Sequence, residues 1–501
     1  MGHLFGTAKV VRENNIASQI WLETLPITWS RLLHSSSLLS ERRLTLDNET
    51  VAGVLPISCP RQLDALGVEF LTQKGGKSVC VDLFTQTQHT LITGMTGSGK
   101  SVLLWRFMLD AIARNIPVVG IDFPAADGES SFKTGIELLG EAGAYFDITT
   151  ASSNIMEPPD LRKFDAAERH KRLNNWVDFL RQTLLAIVMG QVDSPHLAQR
   201  VDAILRRAIS VYLADPEIIE RYDLAFQHGW KSTQWQRIPV LKDLLRFCSI
   251  ARLQINKPEP LDHQALNQIH SQIEALLTSP LGDAIGKPSS FSSEPMVKLY
   301  ALTGLNNDYD AYIMALNANA ACVRLALSHP KSLFVGDELS VLCRRDGFSQ
   351  MLGTLCATAR KDGLSLLLSA QDPDTIAQSS ASAMIMQNIS YRITGKITAN
   401  AVFSFEEYLK YPREIISVNA SEAFNPKASD LYSCWLIEKA GRFWRTRFYP
   451  GKMTLASIAN NQEERKARAK ILALYPDTVK GKIYGLKKFT DEYVLGLKPK
   501  Q

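Results

Sequence analysis

Thr90-Leu91-Ile92-Thr93 runs into Gly94-Met95-Thr96-Gly97-Ser98-Gly99-Lys100-Ser101, and the chain then turns apolar from Val102 to Ala113. The octet fits G-x-x-x-x-G-K-[ST] between a strand and a helix, the context in which that spacing carries chemistry. Its glycines let successive backbone N–H groups turn inward around phosphate oxygens. The lysine reaches the β- and γ-phosphates, and the hydroxyl after it holds Mg²⁺. Residues 94–102 are thus the candidate nucleotide cradle: Gly94, Met95, Thr96, Gly97, Ser98, Gly99 and Val102 through the backbone, Lys100 on the terminal phosphates and Ser101 on the metal.

Working outward, Arg106, Asp110 and Arg114 recur every four residues in an otherwise apolar helix, which predicts one wet row on a buried rod. Asn115-Ile116-Pro117 stops that helix, and Val118-Val119-Gly120-Ile121-Asp122 reads as a buried strand ending in a carboxylate. Strand, loop, helix and strand make a βαβ unit, so the sheet is expected to be parallel, with ligands at its carboxyl edge. Upstream, Val79 to Phe84 reads as an early strand feeding the loop strand through a short turn, and residues 1–75 as a lead-in segment.

Two later apolar runs end in polar residues. Leu333-Phe334-Val335-Gly336 leads into Asp337-Glu338. Adjacent carboxylates at the end of a buried strand repel and lose hydration, so they need something to serve. Beside a phosphate loop that is Mg²⁺ and water: Asp337 supports the metal shell, and Glu338 orients and deprotonates the attacking water. Gly336 weakens the strand locally and allows a close backbone approach. Leu364 to Ala370 ends in Gln371, which either senses the terminal phosphate or is a plain turn residue. Arg360, at the end of a helix predicted from Phe348 to Lys361, either complements the helix dipole or bridges to a neighbouring subunit as an arginine finger.

The intervening sequence reads as helical. Pro158-Pro159 breaks the strand–helix alternation, and helices are expected over 173–189, 197–213, 240–250 and 266–277. Arg169, Lys171, Arg172 and Trp176 there fit a nucleic-acid face or a solvated helix surface. Strand character returns at 297–302, and a helix is expected from Tyr309 to Leu327. Leu431 to Glu438 and Arg442 to Tyr449, joined by Lys439-Ala440-Gly441, read as a β-hairpin closing one edge of the sheet. From residue 452 onward the chain reads as a basic helical tail interrupted at Pro476 and Gly481.

The totals agree with an ordinary globular chain of two or three units: 501 residues, 45% hydrophobic and 21% charged. No apolar window reaches the 18 residues or so that a membrane span needs, and the first residues lack a signal-peptide layout, so a cytoplasmic protein is expected. Seven scattered cysteines without C-x-x-C spacing argue against disulfides and zinc. The net charge is +5, and residues 461–501 alone carry ten Lys/Arg against five Asp/Glu. That tail fits a solvated face, or contact with acidic lipid, nucleic acid or an acidic partner.

The glycine octet, the pair Asp337-Glu338, and Ala359-Arg360-Lys361-Asp362-Gly363 running on to Ser369-Ala370-Gln371 together resemble the conjugative-transfer ATPases of type IV secretion systems, the VirB fourth-subunit ATPase with its TraC and TrbE relatives, within the FtsK/HerA-like P-loop ATPases. The resemblance implies an α/β fold: a RecA-like P-loop core with a mainly parallel sheet, an inserted all-helical subdomain and a helical tail. The expected division is 1–75, the first core part 76–157, the insertion 158–290, the second core part 291–451 and the tail 452–501. It further implies a homo-hexamer that binds ATP and Mg²⁺ and hydrolyses ATP with Lys100, Glu338 and Gln371, Ser101 and Asp337 holding the metal; Arg360 joins the catalytic set as the candidate arginine finger named above. Such a ring works with other type IV secretion components, peripherally at the cytoplasmic face of the inner membrane, and admits DNA contact. Family members commonly carry a large N-terminal domain ahead of the motor, where only residues 1–93 precede Gly94 here. A DNA translocase of the FtsK, HerA or coupling-protein kind and a nucleotide-binding scaffold that does not hydrolyse are the alternatives.

Overall fold

A computed structural model describes residues 63–495, apart from 75, 124–129, 148–150, 191, 193, 293, 303–307, 341, 428 and 459–461. The lead-in segment therefore lies almost wholly outside the described residues. The strands are β1 (Val68–Thr72), β2 (Ser78–Val81), β3 (His89–Thr93), β4 (Val118–Asp122), β5 (Gly143–Asp147), β6 (Val297–Ala301), β7 (Ser332–Gly336), β8 (Leu364–Ala370), β9 (Ile389–Thr394), β10 (Ser433–Lys439) and β11 (Arg442–Phe448). They form one sheet in the order β2-β1-β11-β10-β9-β3-β8-β7-β4-β6-β5. From β9 to β5 every neighbouring pair is parallel, and from β9 outward through β10, β11, β1 and β2 every pair is antiparallel.

Helix α1 (Lys100–Ala113) follows β3. Between β5 and β6 stand α2 (Ala166–Met189), α3 (Pro195–Leu213), α4 (Pro216–His228), α5 (Leu241–Leu245) and α6 (Pro260–Thr278). Then come α7 (Asp308–Leu327), α8 (Asp346–Thr358) and α9 (Ala401–Leu409), with α10 (Lys452–Ile458), α11 (Gln462–Leu472) and α12 (Val479–Phe489) in the tail. Among the described residues no helix is long and apolar enough to cross a membrane.

The sheet is sandwiched, and side-chain alternation decides which face each residue serves. Leu91, Val119, Ile121, Phe334, Leu366 and Leu368 face one core, continuous with Trp176, Leu205 and Ile269 of the inserted helices. Ile92, Val118, Leu333, Val335 and Leu367 face the other, with Trp105, Phe107 and Met108 of α1. The insertion thus shares a core with the sheet rather than enclosing one of its own.

Several expectations are corrected. The β10–β11 hairpin does not close an edge: β1 pairs with β11 through Leu71 and Arg447, and β2 forms the edge beyond it. Its loop is the two residues Ala440-Gly441, both left-handed at φ 52° and 76°, the type I′ turn that suits strand twist. β2 pairs with β1 rather than feeding β3 as a neighbour. The helix expected over 240–250 stops at Leu245, and one over 216–228 was not expected. Gly481 does not interrupt the tail but sits in the first turn of α12, where its N–H is accepted by the capping Thr478 hydroxyl at 3.1 Å and a Cβ would lie 2.1 Å from the Pro476 carbonyl oxygen. The close approach at Gly336 is to the Leu339 side chain, not to backbone.

The basic and aromatic residues at the start of α2 do not share one solvent face. Arg172 is buried, donating to the carbonyls of Leu327 (3.0 Å), His329 (2.8 Å) and Asp362 (2.9 Å), and Lys171 pairs with Asp362 at 3.0 Å. Trp176 is core, and Arg169 alone of the four is exposed. Arg172 and Lys171 rivet the insertion to the segments that enter β7 and β8.

Candidate active site

β3 is flanked on both sides by parallel strands, so its carboxyl end opens into a cleft where ligands collect in such sheets. The loop leaving it is held from both sides. The Gly94 N–H donates to the Gln371 carbonyl at 3.2 Å, and the Met95 N–H to the Lys396 carbonyl at 2.8 Å. Gly94, Gly97 and Gly99 have φ of 154°, 80° and 96°, which L side chains resist, so the cradle needs glycine at these places. Gly99 is the N-cap of α1 and supplies no side-chain cap, which leaves the first-turn N–H groups of that helix available to an anion.

Lys100 is buried, and its ammonium donates to the Gly94 carbonyl at 2.5 Å. Burial depresses its pKa, and the charges of Glu338, Asp337 and Asp372 act against that depression. Those three carboxylates therefore stand around it. Asp337 closes β7 through its N–H, which donates to the Ile121 carbonyl at 3.0 Å. The residue keeps some solvent contact, but its carboxyl is desolvated. That burial, with the Asp122 charge second, pushes it up to about 7. Asp122 is itself buried and raised by desolvation, and the Tyr145 hydroxyl donates to it at 2.7 Å. Glu338 sits at φ 48°, an uncommon conformation for glutamate, and accepts from the Ser340 hydroxyl at 2.6 Å.

One strand, β8, separates β3 from β7, so their carboxyl ends lie two strand spacings apart, about 10 Å. That is room for a terminal phosphoryl group with a cation. The residues present fit both. The Ser98 hydroxyl is buried with no partner, and clustered carboxylates face one ammonium. Among the described residues no group of three or more His, Cys, Asp or Glu could hold a metal alone. Mg²⁺ suits such a place, since it binds through one or two protein ligands and completes its shell with phosphate oxygens and water.

Of the residues singled out from sequence, the loop, Asp337, Glu338 and Gln371 come together at this rim. The Gln371 side chain is exposed, and it is its carbonyl that touches the loop. Arg360 does not join them. It precedes β8, at the amino edge of the sheet, close enough to His89 to help burial hold that imidazole down at about 4. Asp122 was read only as the end of its strand and given no place in the site, and Asp372 and Asn419 were missed. Asp122 ends β4 and Asp372 lies two residues past the end of β8, at the same rim, a visible signal. Asn419 donates to the carbonyls of Thr394 and Gly395 at 3.0 and 2.9 Å, steadying the segment that carries Lys396, and no local pattern announces it.

No family model and no curated protein matches the sequence. Among solved structures the chain is similar to VirB4 of Thermoanaerobacter pseudethanolicus, with 15% identity and a TM-score of 0.55 over 78% of this chain and 98% of that one. It also aligns with the bacterial conjugative coupling protein TrwB, at 16% identity and a TM-score of 0.42 over 72% of this chain and 85% of that one. The chain thus shares the fold of that VirB4 structure, an α/β fold with a mostly parallel sheet.

Proposed function

We propose that the chain is an ATP-hydrolysing motor of a type IV secretion or conjugative-transfer system. The observation that carries this reading is the convergence of residues 94–101, 337–338 and 371–372 on one sheet edge, in the fold of VirB4. ATP is the substrate. Residues 94–102 bind its phosphates through backbone N–H groups, and Lys100 pairs with the terminal ones. A bound Mg²⁺, held through Ser101 and Asp337, would neutralise charge on the β- and γ-phosphate oxygens. Glu338 accepts a proton from water as its oxygen attacks the terminal phosphorus; the bond from that phosphorus to the bridging oxygen breaks, and ADP and phosphate leave. Gln371 lies beside the loop, where it can orient that water.

In this reading the chains form a ring, a homo-hexamer, peripheral to the cytoplasmic face of the inner membrane through other secretion components. Arg360, remote from its own phosphate cradle, would serve a neighbouring subunit if it acts as a finger. Glu338→Gln keeps the shape of the side chain and removes its basicity. The expected outcome is ATP binding within about twofold of the unaltered chain and phosphate release reduced by a hundredfold or more, of the order general-base loss produces. Undiminished turnover would remove Glu338 from that role. The same assay run with DNA separates the readings: a strong salt-sensitive stimulation favours a DNA translocase, and absence of phosphate release from every assembly favours a scaffold.

A further inference from the structure

Beside the phosphate cradle lies a cavity of about 420 Å³ whose floor is Gly99 and Val102, residues of the cradle itself. Its walls come from the approach to β10, with Tyr432 and Ser433, and from the tail, with Phe489, Tyr493 and Val494. This volume falls in the range of small-molecule sites, which are mostly apolar with few polar groups. The tail wall is built around two rings: Phe489 is fully buried and stacks on Tyr493, with centroids 5.3 Å apart and planes 16° apart. One face of Tyr493 is thereby supported from behind, while the residue remains 45% exposed and lines the cavity.

Continuity decides the occupant. A nucleoside triphosphate held by a phosphate loop has its α-phosphate near the first turn of the following helix, and its base lies one sugar beyond. Here that next position is the cavity, since Val102 belongs to both. Aromatic bases stack on aromatic side chains without needing sequence-like hydrogen-bond readout. We propose that this cavity is the nucleobase subsite and that Tyr493, in the C-terminal tail, is its stacking residue, with Tyr432 lining the same cavity from a separate segment. The assignment rests on the nucleotide reading above and deepens it, making the tail part of substrate recognition.

The test compares a ligand with a base and one without: Mg²⁺-ATP and Mg²⁺-tripolyphosphate, each titrated calorimetrically into the full chain. Tyr493→Ala is expected to weaken ATP about tenfold and leave tripolyphosphate unchanged, and Tyr493→Phe to bind ATP as the unaltered chain does. Tyr432→Ala, on a separate segment, repeats the test should the tail variant fail to fold, with the same selective loss expected. Equal ATP affinity in the alanine variants and the unaltered chain would overturn the assignment. So would equal weakening of both ligands, the sign of a structural effect on the cradle. Binding of neither ligand by the unaltered chain would overturn the nucleotide reading itself, and this subsite with it.

Discussion

Asp337 shows how a single carboxyl can be both a cost to the fold and an asset to the site. Its pKa rises from an ordinary 3.8 to about 7, because burial and the Asp122 charge disfavour the carboxylate. An acid raised in the folded state contributes stability that is full below its unfolded pKa and lost as pH climbs through the folded one. Asp337→Asn is therefore expected to be neutral near pH 4, increasingly stabilising up to pH 7 and level above it. About three pKa units set a ceiling of roughly 4 kcal/mol. Urea denaturation of both chains at pH 5 and pH 8 measures this, and an advantage of the variant over the unaltered chain no larger at pH 8 than at pH 5 would contradict it. On the proposed reading the same shift is expected to make Mg²⁺-ATP affinity of the unaltered chain, measured calorimetrically, rise between pH 6 and 8, since a cation no longer has to displace the proton. Glu338 adds backbone strain of about 1–3 kcal/mol for a left-handed non-glycine residue at a site. Both residues were legible in the sequence because adjacent acids ending an apolar run have no structural use. The protonation of Asp337 was not legible, since it depends on Asp122, more than 200 positions away.

At the scale of elements, strands between helices were readable wherever a short apolar run ended sharply, as with β3, β4, β7 and β8. β5 escaped because Gly143-Ala144-Tyr145-Phe146-Asp147 is half-buried throughout and shows neither an apolar run nor alternation. β9 does alternate over its first four residues, with Ile389 and Tyr391 buried and Ser390 and Arg392 less so, and could have been found. Its importance could not: it flanks β3, and the segment after it braces the phosphate loop through Lys396. Asn419→Ala removes two hydrogen bonds to buried carbonyls on that segment, at a cost of about 1–3 kcal/mol for acceptors left unsatisfied. The expected result is a lower melting temperature together with a raised KM for ATP. A lowered melting temperature with unchanged KM would mean that the brace matters to the fold alone. The basic tail was read as surface, yet Arg468 is buried and donates to the carbonyls of Ala456 and Ser457 at 3.0 and 3.2 Å. Charge counted along a sequence does not distinguish a solvated cation from one capping a helix end.

At the scale of the molecule, the sheet separates two functions by direction. Everything proposed for chemistry stands at the carboxyl ends of the parallel strands, while Arg360, His89 and the insertion's anchor at Arg172 stand at the amino ends. Arg360→Ala is accordingly expected to leave the ATP affinity of a single chain unchanged and to lower turnover only in assemblies, where mixing with Lys100→Ala chains would report a contribution across subunits. Unaltered turnover in the assembled state would return Arg360 to a dipole-complementing role. The strand order was beyond the sequence because pairing is set by contacts between segments far apart, such as Leu71 with Arg447, for which no local pattern exists.

That last pairing reaches into biosynthesis. β1 and β2 leave the ribosome early, but the strand they dock on follows roughly 370 residues later, some 20–75 seconds at ordinary elongation rates. β3 likewise waits for both of its parallel neighbours. The nascent chain therefore carries open strand edges through most of its translation, and a pause or a stop before residue 442 would strand them as templates for aggregation.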